Sequence, residues 1–211
     1  LLEQYITVSD FGVAEITEKK SRFISYTKPI KTEEEAQSFI EEIKKKHWDA
    51  RHNCYAYQLG EKHNIQRYSD DGEPGGTAGM PILEVLKGAD VHDTIVVVTR
   101  YFGGILLGTG GLVRAYSKSA QEGLKAAGLC RCTLYREIII NTDYNLSGKV
   151  QYEAMSDGHI IENTEYTDSV TFHIFCEVPL ADGFIKKIIN ATSGKATVTT
   201  GEEKYISTPI D

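Results

Sequence analysis

The chain has 211 residues, of which 41% are apolar and 25% charged; this is ordinary for a globular protein, leaves room for two domains with their own cores, and provides no apolar run of bilayer-spanning length. The formal net charge of −7 is unevenly placed, with 17 Lys/Arg against 18 Asp/Glu in residues 1–132 and 6 against 12 in residues 133–211. Long-range attraction of the whole chain to phosphate backbones is therefore unsupported, and any nucleic-acid contact has to come from a local patch on the first part.

From the N-terminus, Leu1-Leu2-Glu3-Gln4-Tyr5 lacks a basic region and an apolar signal core, so the expected location is the cytoplasm. The runs Val13–Ile16 and Arg22–Tyr26, separated by the polar Glu18-Lys19-Lys20-Ser21, read as a hairpin. Thr32-Glu33-Glu34-Glu35 matches a capping box, with Ala36, Phe39, Ile40 and Ile43 at helical spacing and three lysines at the end, which predicts an amphipathic helix to about His47. Short strands over 51–59 and 65–68 follow, joined by Gly60-Glu61-Lys62-His63-Asn64. Ile82 to Leu86 suggests a helix with Pro81 in its first turn. The β-branched run Thr94–Thr99 then has the pattern of a strand buried on both faces.

The helix expected from Gly111 to Ala127 buries Leu112, Val113, Tyr116, Ala120 and Leu124, and places Arg114, Lys118, Gln121 and Lys125 in a stripe on its other face. A boundary near residues 128–133 divides the chain into domains 1–132 and 133–211. The second domain reads as β-α-β-β-α-β, a ferredoxin-like order, with the clearest alternation from Val170 to Val178.

No stretch is as glycine-rich as Ser69 to Tyr116. It opens with Asp70-Asp71-Gly72-Glu73-Pro74-Gly75-Gly76-Thr77-Ala78-Gly79 and closes with Arg100-Tyr101-Phe102-Gly103-Gly104 and Leu107-Gly108-Thr109-Gly110-Gly111 before Arg114-Ala115-Tyr116. Glycines this dense read as shaped loops and make this block the candidate site. It lacks the Gly-Lys-Ser/Thr of a nucleotide-binding P-loop, and Val113 stands where a dinucleotide fingerprint needs its third glycine. Together with His52-Asn53-Cys54-Tyr55-Ala56, these motifs resemble the IMPACT family in its bacterial two-domain, YigZ-like form, and the resemblance covers the whole chain. It implies a first domain of the type found in ribosomal proteins and in the fourth domain of elongation factor G, and a second resembling that factor's ferredoxin-like fifth domain. The fold class is α+β. Eukaryotic relatives act in translational control through an additional N-terminal domain that engages an activator of the general-control kinase, and the length is expected to leave no room for that domain.

Three functions fit these residues. The first is binding of RNA or a ribosomal surface: backbone amides at Gly108, Gly110 and Gly111 meet a phosphate, Arg100, Arg114, Lys118 and Lys125 follow the strand, and Tyr101 and Phe102 offer stacking faces. The second is a metal-assisted hydrolase of a phosphorylated or peptide substrate that uses Asp70, Asp71 and Glu73, carboxylates that suit a hard cation but also make a good solvated turn, one that Arg100 or Arg114 could pair with. The third is a protein-interaction scaffold, its acidic second domain meeting a basic, translation-associated partner. His47, His52, Cys54 and His63 have no standard zinc spacing, and Cys54 beside His52 lacks an orienting group for nucleophilic catalysis. The four cysteines read as reduced thiols. The expectation is RNA or ribosome binding, with no cofactor, no metal, no membrane partner and no assigned catalytic residue.

Overall fold

A computed structural model describes residues 1–210, in which Tyr5–Arg131 forms one unit and Cys132–Ser207 a second; Leu2–Gln4 belongs to the second and residues 208–210 to the first. Both units combine antiparallel strand pairs with helices, an α+β architecture. Among the described residues no helix is long and apolar enough to cross a membrane.

The first unit is built around the apolar run read as a doubly buried strand. The chain opens on a short strand, β1 (Gln4–Val8), and β6 (Thr94–Tyr101) lies at the centre of a five-stranded sheet in the order β2-β3-β6-β4-β5, with β2 Gly12–Glu18, β3 Ser21–Pro29, β4 His52–Leu59 and β5 Ile65–Ser69. All neighbours are antiparallel. The two-residue alternation of β6 sends Val96 and Val98 to the face covered by α2 (Gly79–Gly88) and α3 (Thr109–Ala127), and Ile95 and Val97 to the face covered by α1 (Glu33–Lys46). All four are fully buried, and each such aliphatic stabilises the unit by about 1.5–3 kcal/mol. Thr32 caps α1 by accepting the Glu35 amide at 3.2 Å. The returning Glu35 carboxylate takes the Lys31 amide at 2.7 Å instead of closing a strict capping box on Thr32.

β2 and β3 are joined by Lys19-Lys20, with φ of 45° and 67° between the paired Glu18 and Ser21. Two positive-φ residues in a two-residue hairpin are the type I′ signature, usually filled by Asn-Gly. Lysine here stores strain, and a neighbour holds the turn: a Cβ on Gly103 would sit 2.0 Å from the Lys20 carbonyl carbon. Gly103→Ala is therefore expected to prise the Lys19-Lys20 turn off the 102–108 loop and to cost on the order of 2–4 kcal/mol, measured as a urea-midpoint shift at unchanged m-value.

The second unit carries strands in the order β10-β7-β9-β8, with β7 Leu129–Thr142, β8 Ile160–Tyr166, β9 Val170–Glu177 and β10 Thr197–Ile210. Its helices are α4 (Tyr144–Ser156) and α5 (Val178–Ala191). This is the ferredoxin-like arrangement expected from the sequence. Phe172, Ile174 and Cys176 point into the core with Ile138, Ile140, Phe184 and Ile188. Two limits differ from the expectation. β9 stops at Glu177 because Pro179 cannot donate to a ladder and fits the first turn of α5, so Val178 belongs to the helix. β7 begins at Leu129, where the pattern reads as a linker.

Candidate functional site

The acidic loop between β5 and α2 is built by its own carboxylates. Asp70 accepts the amides of Gly76 (2.8 Å), Ala78 (3.0 Å) and Gly79 (2.8 Å), placing negative charge at the start of α2, whose N-cap Ala78 has no capping side chain. Asp71 accepts the Asn53 amide at 2.7 Å and pairs with Lys44 at 2.8 Å, while its carbonyl accepts from His52 Nδ1 at 2.9 Å. Glu73 turns inward. Its carboxylate, 3% exposed, lies 2.6 Å from the Arg100 guanidinium and accepts from the Tyr116 hydroxyl at 2.8 Å. The Cys54 thiol donates to the Asp70 carbonyl at 3.0 Å and lies 3.4 Å from the Tyr116 oxygen. Burial pushes both the Cys54 thiol and the Tyr116 hydroxyl far above their ordinary pKa values, so Cys54 is a neutral core group rather than a thiolate nucleophile. All three carboxylates are thus already engaged by amides, Lys44, Arg100 or Tyr116.

The N-terminus of α3 is the opposite case. Gly108, with φ 73°, provides no capping side chain, and the first turn holds no acidic residue. Arg114 folds back over that turn, its guanidinium nitrogen 3.8 Å from where a Cβ on Gly110 would stand. Arg114 and Lys118 line a cavity of about 220 Å³ with Lys19 from the strained hairpin turn and Gly111 beneath them; Glu18 is its one acidic neighbour. Among the described residues none of these three cations is held in an ion pair or hydrogen bond. Cations beside the positive end of a helix macrodipole repel it and one another, and an anion relieves both.

The sequence-expected residues therefore fall into separate groups. Gly111, Arg114 and Lys118 stand together at this cavity, with Gly110 beneath the Arg114 guanidinium and Gly108 at the N-cap of the same helix. Arg100 does not join them: it is 6% exposed, its charge committed to Glu73 and its guanidinium over the Phe23 and Phe102 rings. Lys125 is paired with Glu122 at 2.8 Å and, with Gln121, borders a different, apolar cavity between α2 and α3. The acidic loop meets α3 through Tyr116, two residues and about 200° around the helix from Arg114, so loop and cations occupy different faces. Lys19 was not visible as a site residue, because only the hairpin's approach to α3 brings it beside Arg114.

Tyr101 is a link in a polar chain. Its hydroxyl donates to Asp49 at 2.9 Å, so the 2.8 Å contact with His47 is a donation from Nδ1–H, leaving Nε2 to accept from Tyr26 at 2.6 Å. Burial first, then the Lys46 charge, holds the His47 pKa below its ordinary value. The unfolded chain thus takes up this proton before the folded one does, and stability is lost as pH falls below about 6.5. His47→Gln is expected to flatten that part of the curve, measured as the wild-type minus variant melting temperature between pH 7.5 and 5.

The Impact N-terminal domain family matches residues 19–124, and a domain of unknown function, DUF1949, matches residues 140–195. IMPACT family member YvyE of Bacillus subtilis (strain 168) is 44% identical over 211 residues, covering 100% of this chain and 97% of that protein. IMPACT family member YigZ of Escherichia coli (strain K12) is 37% identical over 188 residues, 88% of this chain and 92% of its own length. The Protein IMPACT homolog of Dictyostelium discoideum is 40% identical over 97 residues, 44% of this chain but 28% of that longer protein. Among solved structures, one described as the crystal structure of a hypothetical protein superposes with a TM-score of 0.61 at 32% identity, covering 96% of this chain and 99% of the other. With the N-terminal domain family matched over half its length and relatives aligned across both units, the chain belongs to the IMPACT family.

Proposed function

We propose that the chain binds RNA, free or within the ribosome, through the cavity formed by Lys19, Arg114 and Lys118 at the start of α3, and that it serves translation or its regulation in the cytoplasm. The observation that supports this is the unpaired state of those three cations beside an uncapped helix N-terminus. The amides of the first turn and the side chains take a backbone phosphate, and the exposed Phe102 and Leu106 of the preceding loop lie next in the chain for contact with unstacked bases. The resemblance of the first domain to translation-factor domains favours the same ligand class.

Co-sedimentation with ribosomes and titration of a fluorescent single-stranded RNA, both across a salt series, test this reading. Binding that weakens linearly on a log–log plot supports phosphate contact. Absence of binding to either at low salt overturns it.

A further inference from the structure

A second cluster lies at the opposite end of β6 from the glycine loop. The β4–β5 turn, residues 60–64, meets the α2–β6 connection, residues 89–93: the Gly60 amide donates to Asp93 Oδ1 at 2.9 Å, and His92 Nδ1 lies 3.3 Å from the Gly60 carbonyl. That carbonyl can only accept, so the proton sits on Nδ1 and the Nε2 lone pair of His92 is left for a ligand. His92 is also fixed through its backbone, its amide donating to Ile6 at 2.7 Å and its carbonyl accepting from Thr7 (2.8 Å) and Thr94 (2.7 Å). The His63 ring stacks on it with centroids 3.9 Å apart, and His63 Nε2 lies 3.1 Å from Asp90 Oδ1. His63 Nδ1 is buried without a partner. One ligand atom from each of His63, Asp90 and His92 falls within 4.8 Å of the others, and the Asp90 side chain is 76% exposed, so an ion enters from solvent on that side.

We infer that His63, Asp90 and His92 bind one divalent transition-metal ion of the zinc type, clamping the β4–β5 turn to the α2–β6 connection and leaving a coordination position to water. Two imidazoles and a carboxylate are the donor set that borderline ions such as zinc prefer, whereas magnesium and calcium favour oxygen alone. Tetrahedral bonds of about 2.0–2.2 Å place ligand atoms roughly 3.3 Å apart. The His63–Asp90 spacing already matches, and rotation of the exposed Asp90 and of His63 against the fixed His92 closes the rest. The Gly60 carbonyl supplies the outer hydrogen bond that sets the tautomer and orientation of a ligating histidine. The sequence reading expected no metal, because the ligands are split between two loops: Asp90-Val91-His92 is too short to register as a motif, and His63 precedes it by 27 residues.

The test is titration of the chelator-treated full chain with zinc and, separately, with cobalt(II) as a spectroscopic substitute. One equivalent is expected, with visible cobalt bands of a nitrogen and oxygen site and no thiolate charge-transfer band. Asp90→Asn is expected to weaken zinc binding at least about tenfold and His63→Ala at least about a hundredfold, with circular dichroism confirming that both variants are folded. A thiolate band, no cobalt spectrum in the wild type, or zinc affinity and stoichiometry unchanged in both folded variants would each overturn the assignment. None of these outcomes bears on the RNA reading, which rests on cations at the other end of the sheet.

Discussion

Replacing Glu73 with Ala is expected to destabilise the first unit by about 3–5 kcal/mol, a large share of the roughly 5–15 kcal/mol that a domain of this size possesses. The cost arises from what is left behind more than from what is removed. Arg100 is 6% exposed, its Nε already lacks a partner, and without Glu73 its charge retains a 3.5 Å contact with the Ser21 hydroxyl and the faces of the Phe23 and Phe102 rings, none of which carries a compensating charge. The Tyr116 hydroxyl loses its carboxylate acceptor at the same time. Replacing both members of the pair by apolar residues, Glu73→Leu with Arg100→Met, is expected to recover part of the loss, because the desolvation of both charges disappears together. Urea melts of the two single variants and the double variant measure the coupling. A single-variant shift below about 1 kcal/mol would show that water or another donor replaces Glu73, contrary to its burial.

This pair also marks where sequence reading fell short. The second unit was legible almost strand by strand, because Phe172, Ile174 and Cys176 alternate with Thr171 and His173, and a period of two has one structural solution when one face is buried. The first helix was legible from Thr32 and the lysines at its end, and β6 from its unbroken β-branched run. The chemistry of the glycine block was not. Asp70, Asp71 and Glu73 read alike as acids of a solvated turn with Arg100 or Arg114 as its partner, yet one caps α2, one ties β4 to α1 through Asn53 and Lys44, and one is buried against Arg100. Residue type does not say which way a charged side chain turns; the partner that decides it, Arg100, is 27 residues away in sequence. The stripe on α3 shows a related limit. Helical spacing put Arg114, Lys118 and Lys125 on one face, but only the Lys19-Lys20 turn at one end and Glu122 near the other determine which of them keep their charge unpaired.

The variant with Lys19, Arg114 and Lys118 all replaced by Ala is expected to bind single-stranded RNA about fifty-fold more weakly at about 0.15 M salt. Each phosphate contact on a single strand contributes about 0.7 to the log–log salt slope, so removing three lowers the slope by about 2, and counterion release alone then yields that factor. Folding should not suffer. The three side chains are held in no ion pair, and Arg114 lies over a helix N-terminus that disfavours it, so stability is expected to stay constant or rise by up to about 1 kcal/mol. Arg114→Glu sharpens the contrast, because an acidic group near the first turn of α3 suits the macrodipole while repelling phosphate. A gain in melting temperature together with a loss of RNA affinity is the signature of cations kept at this helix end for a ligand rather than for the fold. Equal salt slopes for wild type and triple variant would move RNA contact elsewhere, and a destabilised triple variant would mean that the three cations hold the hairpin turn to α3 instead.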